Sequence, residues 1–416
     1  MSEPIQGWKS IAAYFDRGIR TVQGWERELG LPVHRLQKRV LAYPHELEEW
    51  RRRHEVSELP EAEEVEEAPA KPWRPRISAI AAVLVLVALV AIGSVRLLTN
   101  HGPVAGIRVV QNTLMAVGPD GREVWRHVFP HELEAARYRP GGRGGFKIAD
   151  LDNNGDVETL FVDQTLDRKP PDHLVCFDSR GRIRWDFPPG RAVTDLALRQ
   201  YPPPYFISNI AIVPERKARM AKVIVTSNHN WSFPNQVAVL DGPTGRLLSE
   251  YWHRGHLYSM LVTDLDGDGE PEVLLGGVND APEYALATLV VFDHRQISGA
   301  SCGRDGKPQF QGMSQGSEKA IVRFPRGPLS VGAEFNRVRG LDEAAGHVVV
   351  EVAEGMRVTD PFVVYELDRT LHPVNVGFSD DFLSRYLQTQ AKDPKLPSRE
   401  ALAEQLRRGV EVWWRH

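Results

Sequence analysis

The sequence predicts a multidomain chain: a small all-α helix-turn-helix unit with a wing, one transmembrane helix, and an all-β repeat domain of propeller or partial-propeller type. Three observations carry this. Residues 7–53 hold three short helical patterns separated by turn residues, residues 77–95 are uniformly apolar, and alternating apolar runs recur from residue 114 onward. A chain of 416 residues exceeds one ordinary domain, and 42% apolar content can fill several cores. The net charge of −4 averages over unlike segments and selects no partner. Two cysteines, Cys176 and Cys302, exclude a disulfide framework but leave one bridge open. In "HLVCFD" Cys176 reads more simply as a small hydrophobe.

In the first unit, residues 1–54, Ile11, Ala12 and Phe15 share one helical face. The "DRG" at 16–18 is a turn, Gly18 suits the N-cap of a second helix through Trp25, and Gly30 and Pro32 stop it. "LPVHRLQKRVLAY" suits a short hairpin with a basic tip at Lys38 and Arg39, and "PHELEEWRRR" a third helix with Pro44 in its first turn. The order, with "GWKSIAAYF", "RTVQGWERELGLPVHR" and "AYPHELEEW", resembles the winged helix-turn-helix of the MerR and excisionase type. That resemblance implies DNA contacts from Arg20, Thr21, Gln23 and Arg27 on the second helix. It implies wing contacts from His34, Arg35, Lys38 and Arg39, and core roles for Trp8 and Trp25. Gly24 departs from it, because glycine inside a helix costs about 1 kcal/mol against alanine.

Residues 55–76 are acidic and proline-bearing, the composition of a solvated linker. Residues 77–95, "ISAIAAVLVLVALVAIGSV", contain no charge and no proline. As a helix at about 1.5 Å per residue they span roughly 30 Å, the hydrocarbon thickness of a bilayer, so 77–98 is read as a single membrane span. Lys71, Arg74 and Arg76 crowd its N-terminal flank against Arg96 on the other. This bias places the N-terminus in the cytoplasm and residues 99–416 outside, in the periplasm of a two-membrane bacterium.

Residues 99–416 repeat. An apolar strand, a turn with Asp or Gly and a second strand recur as "LMAVGPDGREVWRHVF", "LVCFDSRGRIRWDF" and "VAVLDGPTGRLLSEYW", then decay into "LVVFDHRQIS" and "FVVYELDRTLHPVNV". Partner units lie between them, at a period of about 57 residues. Four or five units forming a propeller, a partial propeller or a less closed stack of sheets are expected. "PSREALAEQLRRG" reads as a helix capped by Ser398, and "VEVWWRH" as a closing strand in which Trp413 and Trp414 pack.

Two partner units carry acidic loops. In "DLDGDGEPEVLLGG", Asp264, Asp266 and Asp268 stand at alternate positions, with Gly269 at the turn, the carbonyl of Glu270 next, and Glu272 at the ninth position. "DLDNNGDVETLFVD" repeats this with Asp150, Asp152, Asn154, the carbonyl of Asp156, and Glu158. Alternate oxygen donors around a glycine bend suit a hard cation, although the twelfth-position glutamate of an EF-hand is missing. The spacing, with a strand directly after it, resembles the FG-GAP or VCBS repeats of integrin-like extracellular proteins. That resemblance implies one structural Ca2+ per loop. A solvated acidic turn without metal is the alternative.

His229, His253 and His256 form the richest polar grouping, a candidate ligand or metal site on one propeller face if they are more than hydrogen-bonded loop residues. No H-E-x-x-H or phosphate-binding glycine loop occurs, and "PGGRGGF" lacks P-loop spacing, so the sequence makes no case for an enzyme. Two functions are expected. The first is a membrane-bound one-component transcription regulator, coupling an exported binding domain to DNA, with homodimerisation as one means. The second is an anchored adhesion or binding protein whose cytoplasmic module docks a protein partner.

Overall fold

The computed structural model describes residues 4–15, 19–36, 39–55, 103–138, 145–165, 172–215, 220–230, 232–281, 286–330 and 333–415. The chain divides into two compact units, residues 1–85 and 86–416. The linker, the apolar segment 77–98, the turn at 16–18 and most of the "PGGRGGF" stretch lie outside the described residues. Among the described residues no helix is long and apolar enough to cross a membrane.

In the first unit, α1 (Trp8–Tyr14) and α2 (Ile19–Glu28) precede a hairpin of strands His34–Leu36 and Arg39–Ala42. The strand Ile5–Gln6 pairs with the second hairpin strand to complete a three-stranded sheet. α3 (Pro44–Glu55) follows. Gly30, at φ +64, turns the chain out of α2 so that the Leu31 N–H returns to the Trp25 carbonyl. Ile11, Ala12, Val22, Leu31, Ala42, Leu47 and Trp50 form the core, with Trp8, Phe15 and Trp25 packed against it. The Trp25 and Trp50 rings lie 5.5 Å apart, and the Trp50 indole N–H donates to the Leu29 carbonyl at 3.0 Å.

The second unit is built from five main sheets in chain order, antiparallel apart from a short parallel strand, Gly299–Ala300, that joins the third. A separate strand pair, Val193–Thr194 and Gln200–Tyr201, lies between the second and third in the chain. The first has three strands, Gly106–Val110, Thr113–Val117 and Glu123–Val128. The second has four, Phe146–Ala149, Glu158–Asp163, His173–Phe177 and Ile183–Phe187. The third runs Tyr205–Glu215, Met220–His229, Pro234–Asp241 and Leu247–Arg254. The fourth runs Leu257–Thr263, Glu272–Asn279, Leu286–Asp293 and Ala320–Phe324. The fifth runs Arg337–Ala344, His347–Ala353, Phe362–Leu367 and Pro373–Phe378.

In the outer sheets alternation buries one face of a strand, as in Thr113–Val117. Inner strands such as Pro234–Asp241 and Glu272–Asn279 are buried on both faces, because successive sheets pack on either side. One apolar cluster joins the first and second sheets, another the second and third, a third the third and fourth, and the largest the fourth and fifth. The first strands of the second to fifth sheets lie side by side. Up-and-down sheets stacked in order, with their first strands together, make a propeller-like domain. Among the described residues no apolar cluster joins the fifth sheet back to the first.

Two local expectations change. The hairpin expected from "LVVFDHRQIS" does not close: Leu286–Asp293 pairs with Ala320–Phe324, and the excursion between them packs Ala300 and Phe310 against Trp252 and Tyr205. After the fifth sheet come α4 (Asp380–Lys392), capped by Ser379, and α5 (Arg399–Arg408), capped by Ser398 as expected. Glu411–Trp414 then adds a fifth strand to the fourth sheet. Trp414 packs on the core, but Trp413 is 39% exposed with the Arg323 guanidinium 4.2 Å above its ring, so its role is at the surface. Cys176 and Cys302 are buried free thiols, and no bridge joins them.

Candidate functional site

The two acidic loops occupy equivalent places, each joining the first strand of a sheet to its second. In the fourth sheet both Asp264 carboxylate oxygens accept backbone N–H groups, from Gly267 at 2.8 Å and Gly269 at 3.0 Å. Asp266 accepts from the Asp268 N–H, and Asp268 from the Glu270 N–H. The second sheet repeats this, with Asp150 accepting from Asn154 and Gly155, and Asn154 from Asp156. Gly155, Gly267 and Gly269 all take positive φ, which these tight turns require.

The ninth-position glutamates are buried and face inward. Glu158 Oε2 accepts the Leu151 N–H at 2.9 Å, and Glu272 Oε2 the Leu265 N–H at 2.9 Å. Their other oxygens meet side-chain cations. Lys319 Nζ lies 2.7 Å from both Glu272 Oε1 and Asp266 Oδ2. Arg184 donates to Glu158 Oε1 at 2.6 Å and to Asp152 Oδ2 at 3.0 Å. In both loops, therefore, a cation from the fourth strand or its leading edge bridges the third- and ninth-position carboxylates. The bond from Lys319 holds the Asp266 carboxyl below its usual range. Burial pushes Glu158 up, against the pull of the Leu151 N–H and Arg184. Burial also works against the Lys319 ammonium, but its two carboxylate partners outweigh this and its affinity for a proton rises.

Hard oxygens alone make up these loops, the donor type that calcium takes. Asp264, Asp266 and Asp268 each bring a carboxylate oxygen within 4.8 Å of the others, as do Asp150, Asp152 and Glu158. The second loop fits a cation through its first three carboxylates, while Glu272 is turned to Lys319. The Glu270 side chain points elsewhere, to His294 Nε2 at 3.1 Å. In the first loop Arg184 engages two of the three grouped carboxylates. Neither Lys319 nor Arg184 was visible to motif reading, because each lies far along the chain from its loop.

In the first unit, the side chains of Arg20, Thr21 and Arg39, and all of Lys38, lie outside the described residues. Arg27 is exposed, with its Nε donating to the Gln23 carbonyl at 3.2 Å. His34 and Arg35 are paired with acids: His34 Nε2 lies 2.7 Å from Glu46, and Arg35 donates to Glu26 at 2.8 Å.

The three histidines do not converge on a metal. His229 and His256 line one cavity, whereas His253 is buried behind it, 2% exposed. His229 Nε2 donates to the Pro202 carbonyl and its Nδ1 accepts the Ser232 N–H. His256 Nε2 faces the carbonyls of His229 and Ser232, and its Nδ1 faces the Tyr258 hydroxyl. Burial lowers all three, His253 and His256 to about 4, so these rings are neutral hydrogen-bonding struts at pH 7.

No family model matches the sequence, and no curated protein matches it either. Among solved structures the chain is similar to the C-terminal domain of Pseudomonas aeruginosa PilY1, at 13% identity and a TM-score of 0.37, covering 62% of this chain and 55% of that one. It is also similar to the WD40 β-propeller domain of Doa1, at 10% identity and 0.28, covering 59% and 57%. The Dos1 propeller matches at 10% identity and 0.29, covering 65% and 64%. The chain thus spans less than two thirds of these proteins' lengths, and likenesses this remote carry no functional argument.

Proposed function

We propose that the chain is a membrane-bound, one-component transcription regulator. Its N-terminal unit is a winged helix-turn-helix that binds DNA, and its repeat domain, of FG-GAP or VCBS type, is exported and binds an external ligand. The observation that supports this best is the first unit: two helices, a basic hairpin within a three-stranded sheet and a third helix, closed around their own core. In such folds α2 enters the major groove and the hairpin follows the backbone. Arg27 is exposed on α2, consistent with that role. The His34–Glu46 and Arg35–Glu26 pairs are exposed, and exposed pairs are worth only about 0–1 kcal/mol, so phosphates can displace the carboxylates. The same pairs favour the second reading, in which this face docks a protein partner. The apolar segment 77–98 supports the membrane span, and homodimerisation would couple the two sides.

Calcium belongs to the same proposal. It is held at the second loop by Asp264, Asp266, Asp268 and the Glu270 carbonyl, and its role is to stiffen a turn. Lys319 competes for Asp266 and keeps the affinity low.

Chromatin-precipitation mapping tests the function. Discrete, reproducible peaks are expected, and a flat profile refutes DNA regulation. In the purified full-length chain, replacing Arg20 and Arg27 with alanine should weaken DNA binding and flatten its salt dependence. Unchanged binding excludes α2 as the reading helix.

A further inference from the structure

Where the first strands of the third, fourth and fifth sheets begin, they enclose a cavity of about 690 Å³. Its wall carries three guanidinium groups, Arg137, Arg337 and Arg339, and among the described lining residues there is no carboxylate. The two histidines in the wall are neutral, so the positive charge there comes from the arginines, of which Arg339 is offset by Glu351 at 3.2 Å. They come from different places. Arg137 lies in the short turn Ala135–Tyr138 after the first sheet, and the other two begin the fifth sheet.

Each guanidinium plane is set in advance. Arg137 donates to the Gln164 side-chain oxygen at 3.0 Å and to the Ile207 carbonyl at 2.7 Å. Gln164 is fixed in turn by the buried Asp172, which also accepts the Ile207 N–H at 2.9 Å. Arg337, 8% exposed, lies 5.0 Å over the Tyr258 ring. Arg339 lies 4.3 Å over Phe362, pairs with Glu351 at 3.2 Å and donates to the Val358 carbonyl. Between them, Asn209 and Asn228 are anchored through their amide nitrogens to the Tyr258 and Leu257 carbonyls. A preformed, concave polar site of this volume falls within the roughly 300–1,000 Å³ range of small-molecule sites.

Guanidinium forks select oxyanions. The volume exceeds what a bare inorganic anion needs, and the Asn209 amide and the Tyr258 hydroxyl offer partners for neutral hydroxyl groups, while the Asn228 amide is engaged by Leu257 and Asn235. The features that usually hold phosphates, a helix N-terminus or a glycine-rich run of backbone N–H groups, are missing from the described lining. We propose that this cavity binds a carboxylated sugar, as a free uronic acid or as the end of an acidic polysaccharide. The inference rests on reading the second unit as the ligand-binding half, and it is independent of DNA binding.

Isothermal titration of the purified full-length chain tests it, with D-glucuronate, trigalacturonate, D-glucose and inorganic phosphate as probes. Glucuronate should bind at least tenfold more tightly than glucose and than phosphate. A tighter trigalacturonate would identify a polymer end as the source, and a weaker one the free acid. Arg339→Gln and the charge-retaining Arg337→Lys should each weaken glucuronate at least tenfold, with circular dichroism confirming that both variants fold. Equal binding of glucose or phosphate, wild-type affinity in both variants, or no heat with either acid would overturn the proposal. DNA binding measured on the same preparation separates this failure from failure of the regulator reading.

Discussion

Replacing Lys319 with methionine keeps the aliphatic stem and removes the ammonium that bridges Asp266 and Glu272. The Glu272 side chain is 3% exposed, and without Lys319 its remaining hydrogen bond here is the Leu265 N–H at 2.9 Å. Breaking a buried ion pair from one side costs about 3–5 kcal/mol. Lys319 is itself 29% exposed, so water reaches part of the pair and the expected loss falls to about 2–3 kcal/mol. For a domain of this size that is a fall of roughly 4–6 °C in melting temperature. The assay is thermal unfolding followed by circular dichroism, in chelator and again in millimolar calcium. Loss of the ammonium also releases oxygens on Asp266 and Glu272, so calcium should stabilise the variant more than the wild type. If its Kd is about 10⁻⁴ M, 1 mM calcium restores about 1.4 kcal/mol. Lys319→Arg, which keeps the charge, should melt near the wild type. A Lys319→Met variant that melts with the wild type in chelator would refute the reasoning, because Glu272 would then not need a cationic partner.

Three further outcomes follow from the structure. Burial holds His253 and His256 at about 4 from an ordinary 6.5, so the unfolded chain binds more protons between those values. Stability is then full above pH 6.5 and lost as pH falls toward 4, by up to about 2 kcal/mol per ring at pH 5; His256→Gln should flatten a urea-midpoint profile over that window. Gly24→Ala places its Cβ in open space and should stabilise the N-terminal unit by about 1 kcal/mol, read by chemical denaturation. Gly255 sits at φ +134, where a Cβ would lie 1.8 Å from the Val278 carbonyl oxygen, so Gly255→Ala should cost more than about 3 kcal/mol and abolish a cooperative melt.

Much of the architecture was legible because it is local. Apolar runs at residues 174–177 and 237–240, each followed over a short turn by a second strand, mark strand pairs. Ser398 caps α5 through the Ala401 N–H three residues on. The turn chemistry of the acidic loops likewise lies within nine residues. The failures have a common cause as well. The strand Leu286–Asp293 finds its next partner only after a long excursion, and Trp413 faces outward while its neighbour packs, both decided by contacts far along the chain. α4, by contrast, carries a local start signal in Ser379, Asp380 and Asp381.

The sequence by itself determined the two units' element types, the repeat, and the pair of loops rich in hard oxygens, because short-range sterics and hydrophobic periodicity act between near neighbours. Only the tertiary structure decided what those loops face and where charge collects. Lys319 reaches Asp266, and Arg184 reaches Asp152, because the strands of one sheet lie side by side. Arg137, Arg337 and Arg339 share a cavity because stacking the sheets brings their first strands together. Electrostatic partners are chosen by distance in space, and a repeat folded around its own first strands makes distant residues close.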